Sequence, residues 1–213
     1  MKNELEKRFF DGGFAADETA AGTVKGTPIV YNSRTNLGRF DEVIEPGALD
    51  GADLSDVRLC LNHDTSFVYA RSRRNNAHNT MTLTPDLNGL NIKAQLAVDE
   101  SPRAKDFYSM ISRGDIDKMS FMFSVDSDRW EDLGSDHPTR HIEKIGSVVE
   151  VSAVTFPAYD ATSITISARS KEVLENARLE LENARQRDAN GAEALELAKA
   201  KFKFKSKTGG TKR

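Results

Sequence analysis

The sequence predicts a mainly β protein with flanking helices (α+β) that ends in a helical extension. Apolar and polar residues alternate with period two through much of residues 1–168, a helical pattern with its own start and stop signals interrupts them near residue 101, and a second helical pattern begins at Lys171. A chain of 213 residues is long enough for one buried core and an appendage. About seven predicted strands in that core indicate a barrel or a sandwich.

The strands follow from local patterns. The clearest alternation places Leu90, Ile92, Ala94, Leu96 and Val98 on one face, which is typical of a half-buried strand. Residues 80–84 and the turn chemistry of residues 85–89 predict the other arm of a hairpin. We expect further strands at residues 27–31, 57–63, 118–125, 140–146 and 147–156.

Two helical regions are predicted. The first has Ser101 as its N-cap, Pro102 in its first turn and Gly114 as its stop signal, and its apolar positions have helical spacing. From Lys171 onward the five residues from Leu174 repeat seven positions later, but two heptads are too few to establish a coiled coil. The Asn-Gly pair at 190–191 is expected to break this helix, which resumes over residues 192–201.

The composition is that of a soluble protein, with 38% hydrophobic and 30% charged residues. No apolar run approaches the roughly 20 residues that span a bilayer, and no apolar signal region follows the start of the chain. The single cysteine, Cys60, rules out an internal disulfide and fits a reducing compartment. These features predict a cytoplasmic protein with no membrane partner.

Charge divides the chain into a body (residues 1–168) and an extension (residues 169–213). The extension has 12 Lys and Arg against 7 Asp and Glu, a net charge of +5, whereas the body has 18 against 26, a net charge of −8. Residues 199–213 carry seven basic residues and no acid, a composition that attracts polyanions or acidic protein surfaces and seldom folds alone. We therefore expect a partly disordered, basic end. Nucleic-acid binding is a weak alternative because the body is acidic and no aromatic platform for base stacking can be recognised in the sequence.

Three short strings supply the groups of a serine hydrolase. Residues 61–64 read Leu-Asn-His-Asp, residues 119–123 read Met-Ser-Phe-Met-Phe, and residues 150–158 begin with Glu-Val-Ser-Ala. They provide an imidazole, a hydroxyl in an apolar strand, and a carboxylate. A serine hydroxyl is inert until a base takes its proton and a third group holds that base, so His63, Ser120 and Glu150 are candidate catalytic residues.

Strand parity supports this choice. In the predicted strand at 118–125, Ser120 lies on the face opposite Met119 and Phe121. In the strand at 57–63, His63 falls at the strand end, where it can emerge from the core. Glu150 shares a face with mostly apolar residues, and a buried carboxylate without a partner is unfavourable.

With residues 6–10 and 40–49, the three strings form five ordered segments that resemble the prohead maturation proteases of tailed bacteriophages, the Hong Kong phage type. These are distant relatives of the herpesvirus capsid protease, assemblin. The resemblance covers roughly residues 4–168 and implies that residues 1–168 are a prohead serine protease domain, with a closed or nearly closed antiparallel barrel of the herpesvirus-protease type. It also implies that Ser120 is the nucleophile, His63 the general base and Glu150 the group that orients the histidine.

The resemblance extends to the oxyanion hole, which Arg71 is expected to help position. The family usually has glycine where this chain has Met122, and Leu-Gly-Arg where it has Tyr69, Ala70 and Arg71. Glycine near a nucleophile commonly lets backbone approach the substrate. His141 is a rival for the role of Glu150, because the herpesvirus relatives use a second histidine there. Asp64 is a poorer candidate, since neighbouring strand residues point to opposite faces.

Other polar residues favour simpler roles. His137 and His141 have the spacing of helical metal ligands, but Pro138 and the residues at 134–136 indicate a loop, so no metal and no other cofactor is predicted. Cys60 lies near His63 in sequence, yet its opposite parity favours a small buried residue over a thiol nucleophile.

The resemblance implies a phage-encoded serine endopeptidase of capsid maturation that cuts the scaffolding segment of the major capsid protein and itself. It would act in the host bacterial cytoplasm, inside the immature prohead. The extension is then expected to be a targeting and self-processing segment. The alternative is a non-catalytic scaffold or assembly chaperone whose body and helical extension bind capsid protein. A homodimer through the sheet edge or the heptads is also left open.

Overall fold

The computed structural model describes residues 5–10, 13–73, 78–155 and 168–208. Its strands are β1 (Leu5–Phe10), β2 (Phe14–Ala16), β3 (Thr23–Val30), β4 (Arg34–Asn36), β5 (Asp41–Ile44), β6 (Asp56–Leu61), β7 (Ala70–Arg73), β8 (Met81–Pro85), β9 (Gly89–Gln95), β10 (Lys118–Glu131) and β11 (Thr139–Val154). Its helices are α1 (Pro102–Ser112) and α2 (Ala168–Thr208). The predicted mainly β fold with flanking helices is confirmed.

The strands form two sheets. One has the order β1-β10-β11-β5-β4, with β6 and β7 attached to it through β11, and the other has the order β2-β3-β9-β8. Over the described residues neither sheet closes, so the predicted closed barrel is not confirmed. The purely antiparallel arrangement is wrong, because β5 and β6 both run parallel to β11. The reason is the length of β11, whose 16 residues pair with β5 near their start and with β6 near their end.

The hairpin of β10 and β11 is the centre of the larger sheet. The prediction of separate strands at 140–146 and 147–156 is wrong, because β11 runs unbroken through Gly146. Register shifts between Met122 and Phe123 and around Ser127 allow the two long strands to bend without ending. A side chain at position 146 would meet the Asp126 carboxylate and the Ser124 hydroxyl, so glycine lets these two side chains lie close to β11 without a shift.

The smaller sheet contains the predicted hairpin. Asp86 closes its turn, since one of its carboxylate oxygens accepts hydrogen bonds from the backbone N–H groups of Asn88 and Gly89 at 2.7 and 3.0 Å. The alternating residues of β9 are buried as predicted, although the strand itself ends at Gln95.

Helix α1 begins and ends where the sequence signals predict. The Ser101 hydroxyl accepts a hydrogen bond from the Ala104 N–H at 3.3 Å, and Gly114 follows the helix with a φ of +77°. Its buried face, which includes Phe107, packs on β2 through a ring contact with Phe14. The chain then leads directly into β10.

Helix α2 confirms the predicted C-terminal helix, but the expected break at residues 190–191 is wrong. Gly191 has open space around it, and a glycine in an exposed helix costs only about 1 kcal/mol relative to alanine. The first half of α2 packs against the body, where Ala177 and Leu181 form a buried cluster with Leu37 and Phe40. In the part of the chain that the structure describes, no helix combines the length and apolar character needed to cross a membrane.

Candidate active site

The position of Ser120 on β10 is fixed by its neighbours on both faces of the sheet. Met119 and Phe121 point to the opposite face and are fully buried in the core. Across the sheet, Ser120 pairs with Ser152 of β11, which pairs in turn with Cys60 of β6. Directly opposite residues share a face, so these three side chains form a polar row across the core of the larger sheet.

His63 reaches this row from a turn. Strand β6 ends at Leu61, and the next two residues, Asn62 and His63, have left-handed φ values of 53° and 59°. This conformation is uncommon outside glycine. It is held by β11: the Asn62 N–H donates to the Ala153 carbonyl at 2.8 Å, and the Asn62 side-chain oxygen accepts from the Thr155 N–H at 3.1 Å. The turn, rather than strand parity as predicted, therefore aims the imidazole.

The imidazole of His63 lies between a hydroxyl and a carboxylate. Its Nε2 is 2.6 Å from the Ser120 Oγ, and its Nδ1 is 2.6 Å from a Glu150 carboxylate oxygen. The side chains of His63 and Glu150 are only 5% and 2% exposed. The contact between the imidazole and the carboxylate is therefore largely shielded from solvent.

Glu150 is buried but not short of donors. Besides His63, its carboxylate accepts a hydrogen bond from the Ser152 hydroxyl. The thiol of Cys60 lies close by, and burial, reinforced by the Glu150 charge, raises the pKa of Cys60 to about 12. The thiol is therefore protonated at neutral pH. Since the thiolate is the nucleophilic form, this fits the prediction that Cys60 is a small buried residue.

The Ser120 hydroxyl has a second neighbour. Its Oγ lies 2.7 Å from the backbone carbonyl oxygen of Arg8, and β1 pairs Phe9 directly with Ser120. A hydroxyl has one hydrogen, which it can donate to the Arg8 carbonyl or to His63 but not to both. Ser120 has 0% exposure. In this conformation the hydroxyl is thus closed off from solvent, with β1 at its side.

Arg71 lies elsewhere. Its guanidinium forms a bidentate pair with Asp56, with distances of 2.6 and 2.7 Å. Among the contacts of the described residues, none joins Arg71 to the three candidate catalytic groups. Its expected part in the oxyanion hole therefore stays a prediction.

His137 and His141 bind carboxylates away from Ser120. His141 is in β11, with its ring nitrogens 2.6 and 3.0 Å from carboxylate oxygens of Glu45 and Glu131. His137 lies in the preceding loop, as predicted, and contacts Asp41 at 2.9 Å. The structure thus brings Glu150, and not the rival His141, to His63. Over residues 5–10, 13–73, 78–155 and 168–208, no cluster of metal-ligating side chains is found.

A cleft of about 410 Å³ opens beside the His63 turn. Asn62 and Asp64 of the turn line one side, and Arg103 and Asp106 of α1 line the other. Arg103 also stacks on the Phe67 ring, with its guanidinium carbon 4.8 Å from the ring centroid. The cleft therefore presents both charges and an aromatic surface beside the turn that carries His63.

A buried imidazole between a hydroxyl and a carboxylate is the arrangement of the serine hydrolases. A family model of caudovirus prohead serine proteases matches residues 13–177 of the 213, and the chain belongs to this family. It is a serine endopeptidase of phage capsid maturation, which implies a capsid protein as substrate and the capsid precursor as its place of action. No curated protein and no solved structure gave a significant match to the chain.

The match includes four of the five segments on which the resemblance was based and extends nine residues beyond the expected domain boundary at 168. Sequence reasoning missed Ser152 and the Arg8 carbonyl. Ser152 could have been found, because it lies two residues after Glu150 and therefore on the same face of the strand. A backbone carbonyl gives no such signal.

Proposed function

We propose that this endopeptidase cuts peptide bonds with Ser120 as nucleophile, His63 as general base and Glu150 as the group that orients and stabilises the imidazole. The observation that supports the proposal is the position of the His63 ring, whose two nitrogens are each 2.6 Å from one of the other two groups. The separation suits proton transfer between Ser120 Oγ and Nε2 on one side of the ring and a hydrogen bond from Nδ1–H to Glu150 on the other.

In the proposed reaction, His63 Nε2 takes the hydroxyl proton while Ser120 Oγ attacks the peptide carbonyl carbon. The imidazolium then gives this proton to the leaving amine, and the acyl group stays on Oγ. Water, activated in turn by Nε2, attacks the ester and releases the second product. Throughout, Glu150 accepts the hydrogen bond from Nδ1–H and stabilises the positive ring in a nearly dry site.

The proposed substrates are the scaffolding segment of the major capsid protein and the protease chain itself, cut in the host cytoplasm inside the immature prohead. Intact-mass measurement tests both. The purified chain and its Ser120→Ala variant are each incubated alone and with the capsid protein encoded beside it. Defined truncations with the wild type that are missing with the variant are expected and would give the cut sites. Uncut masses with both, under shell-forming conditions, would favour the non-catalytic scaffold.

The burial of Ser120 predicts gated reactivity. Because this residue has no exposed surface, a substrate carbonyl reaches Oγ only after part of its cover, including the Arg8 carbonyl, moves aside. We expect the rate of Ser120 labelling by fluorophosphonates to reach a plateau as probe concentration rises. Two probes of different intrinsic reactivity should reach the same plateau, since opening limits both. Plateaus that follow probe reactivity would show that Ser120 is open in solution.

The extension is proposed as the targeting segment, trimmed as the enzyme matures. Its basic end, residues 199–213, suits acidic assembly proteins, whereas its first half is packed through Ala177, Leu181 and Ala184. A chain ending at Asp188 keeps that packing. It is expected to cleave a free peptide at the wild-type rate but to be lost from proheads in an incorporation assay. If the positive charge targets the chain, a full-length variant with glutamine in place of the lysines of residues 199–207 should also cleave the free peptide at the wild-type rate and be lost from proheads. Normal incorporation of the shortened chain would contradict the targeting role.

A further inference from the structure

The hydroxyl of Ser152 joins two members of the proposed triad. Its Oγ accepts a hydrogen bond from the His63 backbone N–H at 2.9 Å and donates one to the Glu150 carboxylate. Ser152 is fully buried, so no water replaces these bonds. The single hydroxyl hydrogen and one oxygen lone pair are both used, and each is used on a different triad residue.

We propose that Ser152 is a positioning residue for peptide cleavage, a fourth member that fixes the Glu150 carboxylate and the His63 turn relative to each other. The inference rests on the triad proposed above and deepens it. Ser152 does not touch the Ser120 hydroxyl in any contact of the described residues, so it acts through Glu150 and His63.

The first effect concerns the carboxylate. One oxygen of Glu150 binds His63 Nδ1 and the other binds Ser152. A carboxylate held at both oxygens cannot turn about its terminal bond, and its plane stays aligned with the imidazole N–H. Without the Ser152 hydroxyl, one buried oxygen loses this donor and the carboxylate gains freedom to turn away from the base.

The second effect concerns the turn. His63 has a φ of 59°, a left-handed conformation that is strained for a residue with a side chain. The hydrogen bond from its N–H to Ser152 is one of the contacts that hold it there. A misplacement of about 1 Å at a reacting group can lower a rate about 100-fold, so this anchor bears directly on the distance between Nε2 and Ser120.

The test compares Ser152→Ala with Ser124→Ala in the full chain. Ser124 is a matched control because it is also a buried serine of the larger sheet, and its Oγ is hydrogen-bonded to Ser147 at 2.9 Å. With a peptide spanning a mapped cut site, Ser152→Ala is expected to lower kcat about 10- to 100-fold with little change in KM, and Ser124→Ala to leave kcat near wild type. A kcat for Ser152→Ala within about twofold of wild type would overturn the proposal.

A double-mutant cycle separates positioning from general damage. In a Glu150→Gln background, Ser152→Ala is expected to lower kcat by a smaller factor than in the wild type, because the carboxylate that it positions is already altered and only its hydrogen bond to the His63 turn is still lost. Full additivity of the two losses would mean that Ser152 does not act through Glu150, and would overturn the proposal.

A spectroscopic readout keeps the proposal falsifiable if activity is too low to measure. The low-field proton NMR signal of His63 Nδ1–H, assigned by its loss in His63→Gln, should move or broaden in Ser152→Ala and stay in place in Ser124→Ala. An unchanged signal in folded Ser152→Ala would count against positioning. Ser120→Ala distinguishes the two levels: full activity of that variant would refute the triad itself, whereas its inactivity beside a normal Ser152→Ala would refute only the role of Ser152.

Discussion

Replacing Ser120 or His63 with alanine is expected to lower kcat for peptide cleavage by about 10⁶-fold, and Glu150→Gln by about 10⁴-fold. In the proposed mechanism the hydroxyl and the imidazole take part in the same proton transfer, so losing either removes the activated nucleophile completely. Glu150 in that mechanism stabilises and orients the imidazole but does not exchange the proton with substrate. Its removal therefore leaves a slower reaction through the same two groups.

The double variant, with alanine at both Ser120 and His63, is a sharper test than either single variant. Because the two residues act as one unit, its kcat should be no lower than that of either single variant. His137→Ala is the matched control, since this histidine also contacts a carboxylate but lies in an exposed loop; it should keep wild-type activity. The measurement is peptide cleavage followed by mass spectrometry, with melting temperatures to establish folding. Activity retained by His63→Ala would refute the assigned base.

The residues of the candidate site could be found from sequence because each chemical group stands in a short, distinctive string. These side chains come together through strand pairings between distant segments. The residue pattern within a single strand does not predict such pairings. Ser120 meets Ser152 through an antiparallel hairpin, but Ser152 meets Cys60 through a parallel pairing. Parallel neighbours far apart in sequence were not expected, and they are also why the prediction of a purely antiparallel arrangement was wrong.

Local rules failed where long-range contacts override them. Alternation predicted that His63 continues the strand of Leu61, whereas hydrogen bonds from β11 hold Asn62 and His63 in a left-handed turn. The Asn-Gly pair in α2 was also expected to end the helix, but for a different reason it does not. Gly191 has open space around it, and a glycine costs an exposed helix only about 1 kcal/mol relative to alanine.

A buried cluster of charges gives the largest expected effect on stability. The Arg8 guanidinium is 1% exposed and lies 2.5 to 2.8 Å from carboxylate oxygens of Glu42 and Glu6. Arg140 binds the same two carboxylates at 2.7 and 3.2 Å. The four residues come from β1, β5 and β11, far apart in the sequence, and no periodic pattern indicates them. Two positive and two negative groups thus face each other in the buried cluster, and Arg140 also binds the partly exposed Asp128 at 2.7 Å.

Arg8→Met is expected to lower the free energy of unfolding by about 3 to 5 kcal/mol, because it leaves two buried carboxylates with one guanidinium. The matched control is Arg34→Met. Its ion pair with Asp41 has a similar distance of 2.9 Å, but the arginine side chain is 57% exposed, so the expected loss is at most about 1 kcal/mol. Urea unfolding of the three proteins measures both. Equal losses in the two variants would mean that the buried cluster contributes no more than a surface pair.

The same cluster predicts a pH dependence. Burial by itself raises the pKa of Glu6, but the guanidinium groups of Arg8 and Arg140 outweigh it and hold this pKa below its ordinary value of 4.5. A carboxyl whose pKa is lower in the folded state stabilises the fold above pH 4.5, and this stabilisation is lost as the pH falls from 4.5 through the folded-state pKa. In the wild type, the free energy of unfolding should decrease as the pH is lowered through this range. The slope should be shallower in Arg8→Met, where one of the two guanidinium groups that lower the pKa of Glu6 is gone.

Arg8 also connects stability with access to the nucleophile. Its side chain holds β1 in the charge cluster, and its carbonyl oxygen lies against the Ser120 hydroxyl. If the ion pairs hold β1 in place, Arg8→Met should raise the plateau rate of fluorophosphonate labelling while Arg34→Met leaves it unchanged. A destabilised Arg8→Met with an unchanged plateau would instead mean that the cover over Ser120 opens without β1. The comparison therefore identifies which part of the fold must move before substrate can reach Ser120.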